Sequence, residues 1–451
     1  MTSDLGPREA GLALPPATLK ALEAVTAALA PTLVAERRDF HRHAESGWTE
    51  FRTASLIARR LTDLGFDVRV GAEVFDADAR MGLPDDVTLD AAWQRARQQG
   101  GDPDFLDAVR GGFTGVVATV ANGTGPTVGL RFDIDALDLV ESQAYEHRPA
   151  AEGFVSLNEG AAHACGHDSH AAIGLGVARA LKVLGDEIRG TVKLVFQPAE
   201  EGVRGAKAMV AGRVVDDVDV MLGLHIYSGW ATGAVTPGKG GFLATTKFDA
   251  TITGAPSHAG GSPHQGKNAL LAAATAVLNL HAISRHRGGS TRINVGRLTA
   301  GQGRNVVPPN AHLVIETRGA TTKLNAYMYE RAVSILESAA AMHDCELEIR
   351  QMGGAQSASS DRALAERVAA VVAASPGLSI HETESGGGSE DYTYMMRRVQ
   401  ERGGLAANIG LGADLGGWGH HTAEFDIDEE ALPLAVKLLV AATLDLQRRP
   451  V

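Results

Sequence analysis

Residues 191–201, TVKLVFQPAEE, decide the fold. An apolar, β-branched run stopped by a proline reads as a strand, and this one ends on two adjacent carboxylates, Glu200 and Glu201. Just before it, HAAIGLGVARALKVLG (170–185) repeats apolar residues at helical spacing and stops at a glycine. GVVATVA (115–121) and TVGLRFDID (127–135) read as strands upstream, DVDVMLGLHI (217–226) and AANIGLG (406–412) as strands downstream. Strands alternating with helices predict an α/β fold, an open, mixed but largely parallel sheet with helices on its faces.

Residues 244–355 follow another rhythm. KFDATITG is a strand, NALLAAATAVLNLHAI a helix, RINVGRLTAG and AHLVIETRG two strands, LNAYMYERAVSILESAAAMH a helix and CELEIRQMG a last strand. That βαββαβ order is ferredoxin-like. It predicts a domain over 244–355 inserted into a larger unit formed by 1–243 and 356–451. The first helix is expected over residues 17–43 with a break at Pro31, and EFRTASLIARRLTDLG follows as a second helix. The polar, turn-rich stretch 72–112 lies between two strands and reads as an insertion.

Composition narrows the function. A net charge of −12 offers no basic field for nucleic acid. Two cysteines, Cys165 and Cys345, cannot build a disulfide framework, which points to a reducing cytoplasm. No basic n-region opens the chain, and the most apolar runs, 268–283 and 431–446, are too short and interrupted to span a bilayer, so neither export nor a membrane is expected.

The chemistry gathers at strand ends, where open α/β sheets bind ligands. Asp133 and Asp135 end one strand, Cys165 and His167 lie in the loop before a helix, and the Glu200–Glu201 pair ends a second strand. His225 ends a third, and His420 and His421 follow a fourth. Thiol, imidazole and carboxylate together suit borderline divalent ions such as Zn²⁺, Mn²⁺ or Co²⁺. Beside an ion, one glutamate of the pair can be a ligand while the other acts as general base on a water that the ion activates. Taken singly, each histidine also fits a satisfied core residue, the pair a solvated helix start, and Cys165 a buried hydrophobe or a nucleophile.

Eight stretches in order, RRDFHRHAESGWTE, LRFDIDAL, HACGHDSH, VFQPAEEG, GLHI, GRNVVPPNAHLVIETRG, GGGSEDY and HHTAEFDIDEEAL, resemble the M20 metallopeptidases. They resemble in particular the amidohydrolase branch that cleaves N-acyl and N-aroyl amino acids. The resemblance implies a metal-dependent amidohydrolase holding one or two divalent ions, Mn²⁺ or Zn²⁺ with Co²⁺ as a further choice. It implies Cys165, His167, Glu201, His225 and His421 as ligands, with the Cys165 thiolate bridging, and Glu200 as general base. Asp135 would orient the site and His420 stand behind the ligands. The inserted domain resembles the family's lid and dimerisation domain. His258 would help hold the oxyanion, often from a partner protomer, while Asn305 and Arg318 would grip a substrate carboxylate; the role of His264 is left open because its loop departs from the family spacing. Glu390 and Asp391 are expected to be structural. The implied substrate is a small amide such as p-aminobenzoyl-glutamate, and the implied partner a second copy through the lid or a related second chain, as in a heteromer. Other readings are a plain aminoacylase or dipeptidase, or a binding protein with a degenerate metal site; the intact Glu200 argues against the last.

Overall fold

A computed structural model describes residues 12–382 and 388–450. Among the described residues, twelve strands fall into two sheets. In chain order they are β1 (Asp67–Val70), β2 (Val116–Asn122), β3 (Thr127–Asp133), β4 (Gly190–Gln197), β5 (Val220–Tyr227) and β6 (Ala234–Lys239). There follow β7 (Ala244–Thr253), β8 (Thr291–Ala300), β9 (Asn310–Gly319), β10 (Glu346–Ala355), β11 (Ser379–Ile380) and β12 (Leu405–Gly412).

The large sheet has the order β1-β2-β4-β3-β5-β12-β6-β11. Its centre, β4-β3-β5-β12, is parallel, as expected for strands this apolar. The β1–β2, β2–β4 and β6–β12 pairs are antiparallel. β6 and the two-residue β11 escape a reading of the sequence, because AVTPGK carries a proline and little apolar pattern.

Side chains on one face of the parallel strands, such as Leu130, Leu222, Leu224 and Ile226, enter a core closed by the helices Pro16–Arg42, His167–Val183 and Ala431–Arg448. Those on the other face, including Val195 and Met221, meet Met209, Met395 and Met396 from the helices Ala206–Ala211 and Thr393–Glu401, and Tyr392 just before the latter. Two strand glycines make room there. A Cβ on Gly223 would stand 2.7 Å from the Tyr392 ring, and one on Gly410 2.6 Å from Trp230. Parts of the 72–112 insertion enter both cores: Val74 and Phe75 join the second, Leu89, Trp93, Leu106 and Val109 the first.

The second sheet, β10-β7-β9-β8, is antiparallel throughout. The helices Ala269–His281 and Thr322–Met342 pack on it around Phe248, Ile252, Leu313 and Leu336. Strand order and helix placement are ferredoxin-like.

Two expectations need correction. The first helix does not break at Pro31 but runs unbroken from Pro16 to Arg42. Pro31 and Ala27 are both exposed, so the carbonyl left without an N–H donor is open to water. By length and composition this helix, unlike the two runs named above, could cross a membrane. Its C-terminal end is nonetheless fastened in the core, where Arg37 is fully buried among Asp168, Asp426 and Glu429. The second correction concerns His167, which lies not in a loop but at the first position of its helix, with Gly166 at φ +91° capping it. That left-handed conformation favours glycine.

Candidate metal centre and active site

The C-terminal ends of β3, β4, β5 and β12 open onto one edge of the large sheet. Directly after β4, Ala199 adopts a left-handed conformation (φ +52°) and the chain turns sharply, with Val203 at φ +60°. Two buried carboxylates hold this strained turn. Glu50 accepts the Ala199 N–H at 2.8 Å, and Asp135 accepts the N–H groups of Glu200 and Glu201 at 2.9 Å each. The bend frees adjacent glutamates from the alternation of a strand, so both reach one centre.

Cys165, His167 and His225 offer one ligand atom each within 4.8 Å of one another; so do Cys165, Glu201 and His421, and so do His167, Glu200 and Glu201. The first two groups share the Cys165 sulfur. Cys165 Sγ lies 3.5 Å from His225 Nε2, and His421 Nε2 lies 3.7 Å from Glu201 Oε1. The His421 N–H donates to the Ala164 carbonyl at 2.8 Å, which ties the C-terminal loop to the cysteine loop.

Backbone carbonyls set the histidine tautomers. His167 Nδ1 donates to the Asp135 carbonyl at 3.0 Å and His225 Nδ1 to the Ile226 carbonyl at 2.6 Å. In its neutral form each ring then turns an unprotonated Nε2 toward the cluster, the arrangement in which metal-bound histidines are held. His167 Nε2 and Glu201 Oε1 are buried without any hydrogen-bond partner among the described residues. Buried polar atoms are rarely left so. Sulfur, nitrogen and carboxylate donors converging around orphaned atoms fit a borderline divalent ion.

Burial and mutual repulsion shape the electrostatics. Burial, then Glu390 and Glu201, push Glu200 well above the ordinary carboxyl range. Burial lifts Glu201 to about 7 and pushes the Cys165 thiol up. Burial opposes charge on His167, but Asp133, Cys165 and Asp135 together outweigh it and hold the ring well above its ordinary value. A bound cation reverses this logic by favouring the thiolate, the carboxylates and neutral imidazole.

Several participants escape a reading of the sequence. Arg131, in the middle of β3, is 1% exposed and bonds to Gln197 at 2.9 Å and Glu390 at 3.0 Å, with Asp133 and Asp391 alongside. A cation in a strand centre gives no signal of its own; only the sheet shows which acids surround it. His170 bridges Asp133 and the Ile226 N–H, so Asp133, though close enough to be a ligand, is already taken by Arg131 and His170. Gln197 and the Ala206 N–H join Arg131 on Asp391, fixing the described end of the GGGSEDY loop near Glu200. Gly386 and Gly387 of that loop lie outside the described residues. His420 accepts the Ser228 N–H at 3.2 Å and packs on His225 and Phe425.

The structure does not bring His258, Asn305 or Arg318 to the cluster within one chain; among the described residues none bonds to it. His258 is exposed, and its Nδ1 accepts the Gly260 and Gly261 N–H groups at 3.1 and 2.8 Å, leaving Nε2–H outward. Asn305 is exposed and its carbonyl accepts the Ala259 N–H. Arg318 pairs with Glu316 at 2.9 Å. His264 is exposed in a short turn.

Residues 129–445 match the model of "Peptidase family M20/M25/M40". The chain belongs to that family and is a metallo-amidohydrolase, the class that the resemblance in its motifs implied. It is 50% identical over 420 residues to indole-3-acetyl-aspartic acid hydrolase of Enterobacter agglomerans, covering 92% of this chain and 96% of that one. It is 48% identical over 430 residues to a subunit of the p-aminobenzoyl-glutamate hydrolase of Escherichia coli (strain K12), covering 95% and 98%. The crystal structure of the aminobenzoyl-glutamate utilization protein from Klebsiella pneumoniae superposes with a TM-score of 0.84 at 44% identity, covering 95% of this chain and 100% of that one.

Proposed function

We propose that this enzyme hydrolyses the amide joining an aromatic acid to an acidic amino acid, with p-aminobenzoyl-glutamate as the leading substrate. The observation that carries the reading is the convergence of Cys165, His167, Glu201, His225 and His421 in overlapping groups beside Glu200. Support for the substrate comes from two relatives at 50% and 48% identity, named for an indole-acetyl aspartate and a p-aminobenzoyl glutamate.

Cys165, His167, Glu201, His225 and His421 would hold one or two ions; Mn²⁺, Zn²⁺ and Co²⁺ all accept this donor set. When bound, the metal supplies a Lewis acid for the scissile carbonyl and lowers the pKa of water. Glu200 takes the proton of the attacking water and later delivers it to the leaving nitrogen. Asp135 fixes the backbone that aims both glutamates. His258 offers its Nε2–H to the oxyanion, and Asn305 and Arg318 grip a substrate carboxylate, from a partner protomer or on closure of residues 244–355 over the larger domain. Assembly is through that lid, as a homodimer or as a heteromer with a related second chain. The two free cysteines fit a cytoplasmic enzyme.

A substrate panel on metal-reconstituted protein tests the reading. p-Aminobenzoyl-glutamate should exceed N-acetyl amino acids and dipeptides in kcat/KM. Faster hydrolysis of either of the latter would make it an aminoacylase or a dipeptidase.

A further inference from the structure

One cation next to the centre has no place in the chemistry so far. Lys239, the last residue of β6, is partly buried and reaches the hydroxyl of Tyr227, to which it donates a hydrogen bond. Its Nζ lies 3.7 Å from the Tyr227 ring centroid and 5.5 Å from that of Trp230. No carboxylate forms an ion pair with it among the described residues, and Glu390, whose charge acts on it from beyond ion-pair distance, is engaged by Arg131. Partly burying a cation without a counter-charge is costly unless an anion arrives.

Its surroundings are built. Tyr227 stacks on Trp230 with ring centroids 4.4 Å apart and planes 18° from parallel, and Trp230 packs on His381 at 4.5 Å. Gly410 makes the space, as the Cβ clash with Trp230 shows. Tyr227 stands two residues after His225 on the same strand face, its ring 4.9 Å from the His225 ring and 5.7 Å from that of His420. The lysine therefore lies one side chain away from a ligand of the proposed metal.

The donor count favours an anion. An ammonium has three N–H groups and the phenol takes one. Because the Tyr227 oxygen accepts from Lys239, its own O–H remains to be given. Two ammonium N–H groups and one phenol O–H thus remain beside a shared contact, the donor set of a carboxylate clamp.

We propose that Lys239 and Tyr227 together bind the side-chain carboxylate of the substrate's amino acid and so select acidic over neutral amino acids. The inference rests on the proposed hydrolysis of N-aroyl amino acids and deepens it.

The test compares N-(4-aminobenzoyl)-L-glutamate with N-(4-aminobenzoyl)-L-glutamine on metal-loaded enzyme. Wild type should prefer the glutamate conjugate in kcat/KM by about tenfold or more. Lys239→Met should erase about tenfold of that preference, mainly through KM, and Lys239→Arg should retain most of it. Equal losses on both substrates would reduce Lys239 to a prop for Tyr227 and overturn the clamp, as would no change on either. Should Lys239→Met fail to fold, inhibition of wild type by free L-glutamate and L-glutamine decides: tighter inhibition by glutamate supports the clamp, equal inhibition overturns it. Wild type that cleaves neither conjugate rejects the functional reading itself, whereas wild type that cleaves both equally rejects this inference alone.

Discussion

Replacing Asp135 by Asn changes one oxygen for one NH₂ and should disturb both stability and metal affinity. The Asp135 carboxylate is 1% exposed, accepts two backbone N–H groups at 2.9 Å and lies 3.4 Å from His167 Nδ1. An asparagine side chain has one acceptor oxygen, so it can serve Glu200 N–H or Glu201 N–H but not both. Its NH₂ then faces the other N–H, donor against donor. One charge-assisted bond is lost and one buried donor is orphaned, together about 3 kcal/mol of stability. The displaced turn carries both glutamates, so divalent-metal affinity should fall about 10–100-fold, the scale of losses when a ligand's support is removed. Turnover should fall about 100-fold through misplacement of Glu200. Urea unfolding gives the first quantity, and competition of the protein with a chromogenic chelator for Zn²⁺ gives the second. An Asp135→Asn enzyme with wild-type stability and Zn²⁺ affinity within twofold of wild type would refute the reasoning. Lost stability with unchanged affinity would make Asp135 a fold residue only.

Two other predictions follow from the same geometry. Glu200→Gln should bind metal as wild type does, measured by elemental analysis, yet lose at least about 1,000-fold in kcat, because the amide cannot shuttle a proton; near-normal turnover would remove Glu200 from the chemistry. His41 is buried and bonds to Asp168 at 2.9 Å and Glu141 at 2.8 Å; burial opposes its charge, but the two acids outweigh burial and raise its pKa from 6.5 to about 9. A raised folded value means stability fully present below about pH 6.5 and lost as pH climbs through 9. Wild type should therefore lose on the order of 3 kcal/mol relative to His41→Gln between those limits in urea unfolding, and parallel pH profiles of the two proteins would exclude the effect.

The residues that stand out in the sequence do so because chemistry and pattern coincide. Glu201, His225 and His421 each follow or end a run whose apolar character marks a strand of the parallel sheet, and Cys165 stands just before an apolar helix of the same α/β alternation; ligands gather at such ends. Lateral neighbours leave no such mark. Arg131 sits in an apolar strand, and only the register of β3 with β4 and β5 shows it facing Gln197 and the acids of the 390–391 loop. Lys239 and Tyr227 are twelve residues apart, and their contact depends on β6 pairing antiparallel with β12, a pairing that no periodicity announces. Pro31 misleads because local rules treat proline as a stop, while on an exposed helix face water can take the freed carbonyl. His167 falls in a helix rather than a loop because Gly166 can adopt the left-handed cap that starts the helix early.

The measurement closest to the central claim is anomalous diffraction at the zinc or manganese edge from crystals of metal-loaded enzyme. It should show one or two peaks bonded by Cys165, His167, Glu201, His225 and His421, with Glu200 turned toward the adjacent open position. Peaks held by other residues, or an empty cluster at saturating metal, would contradict the account.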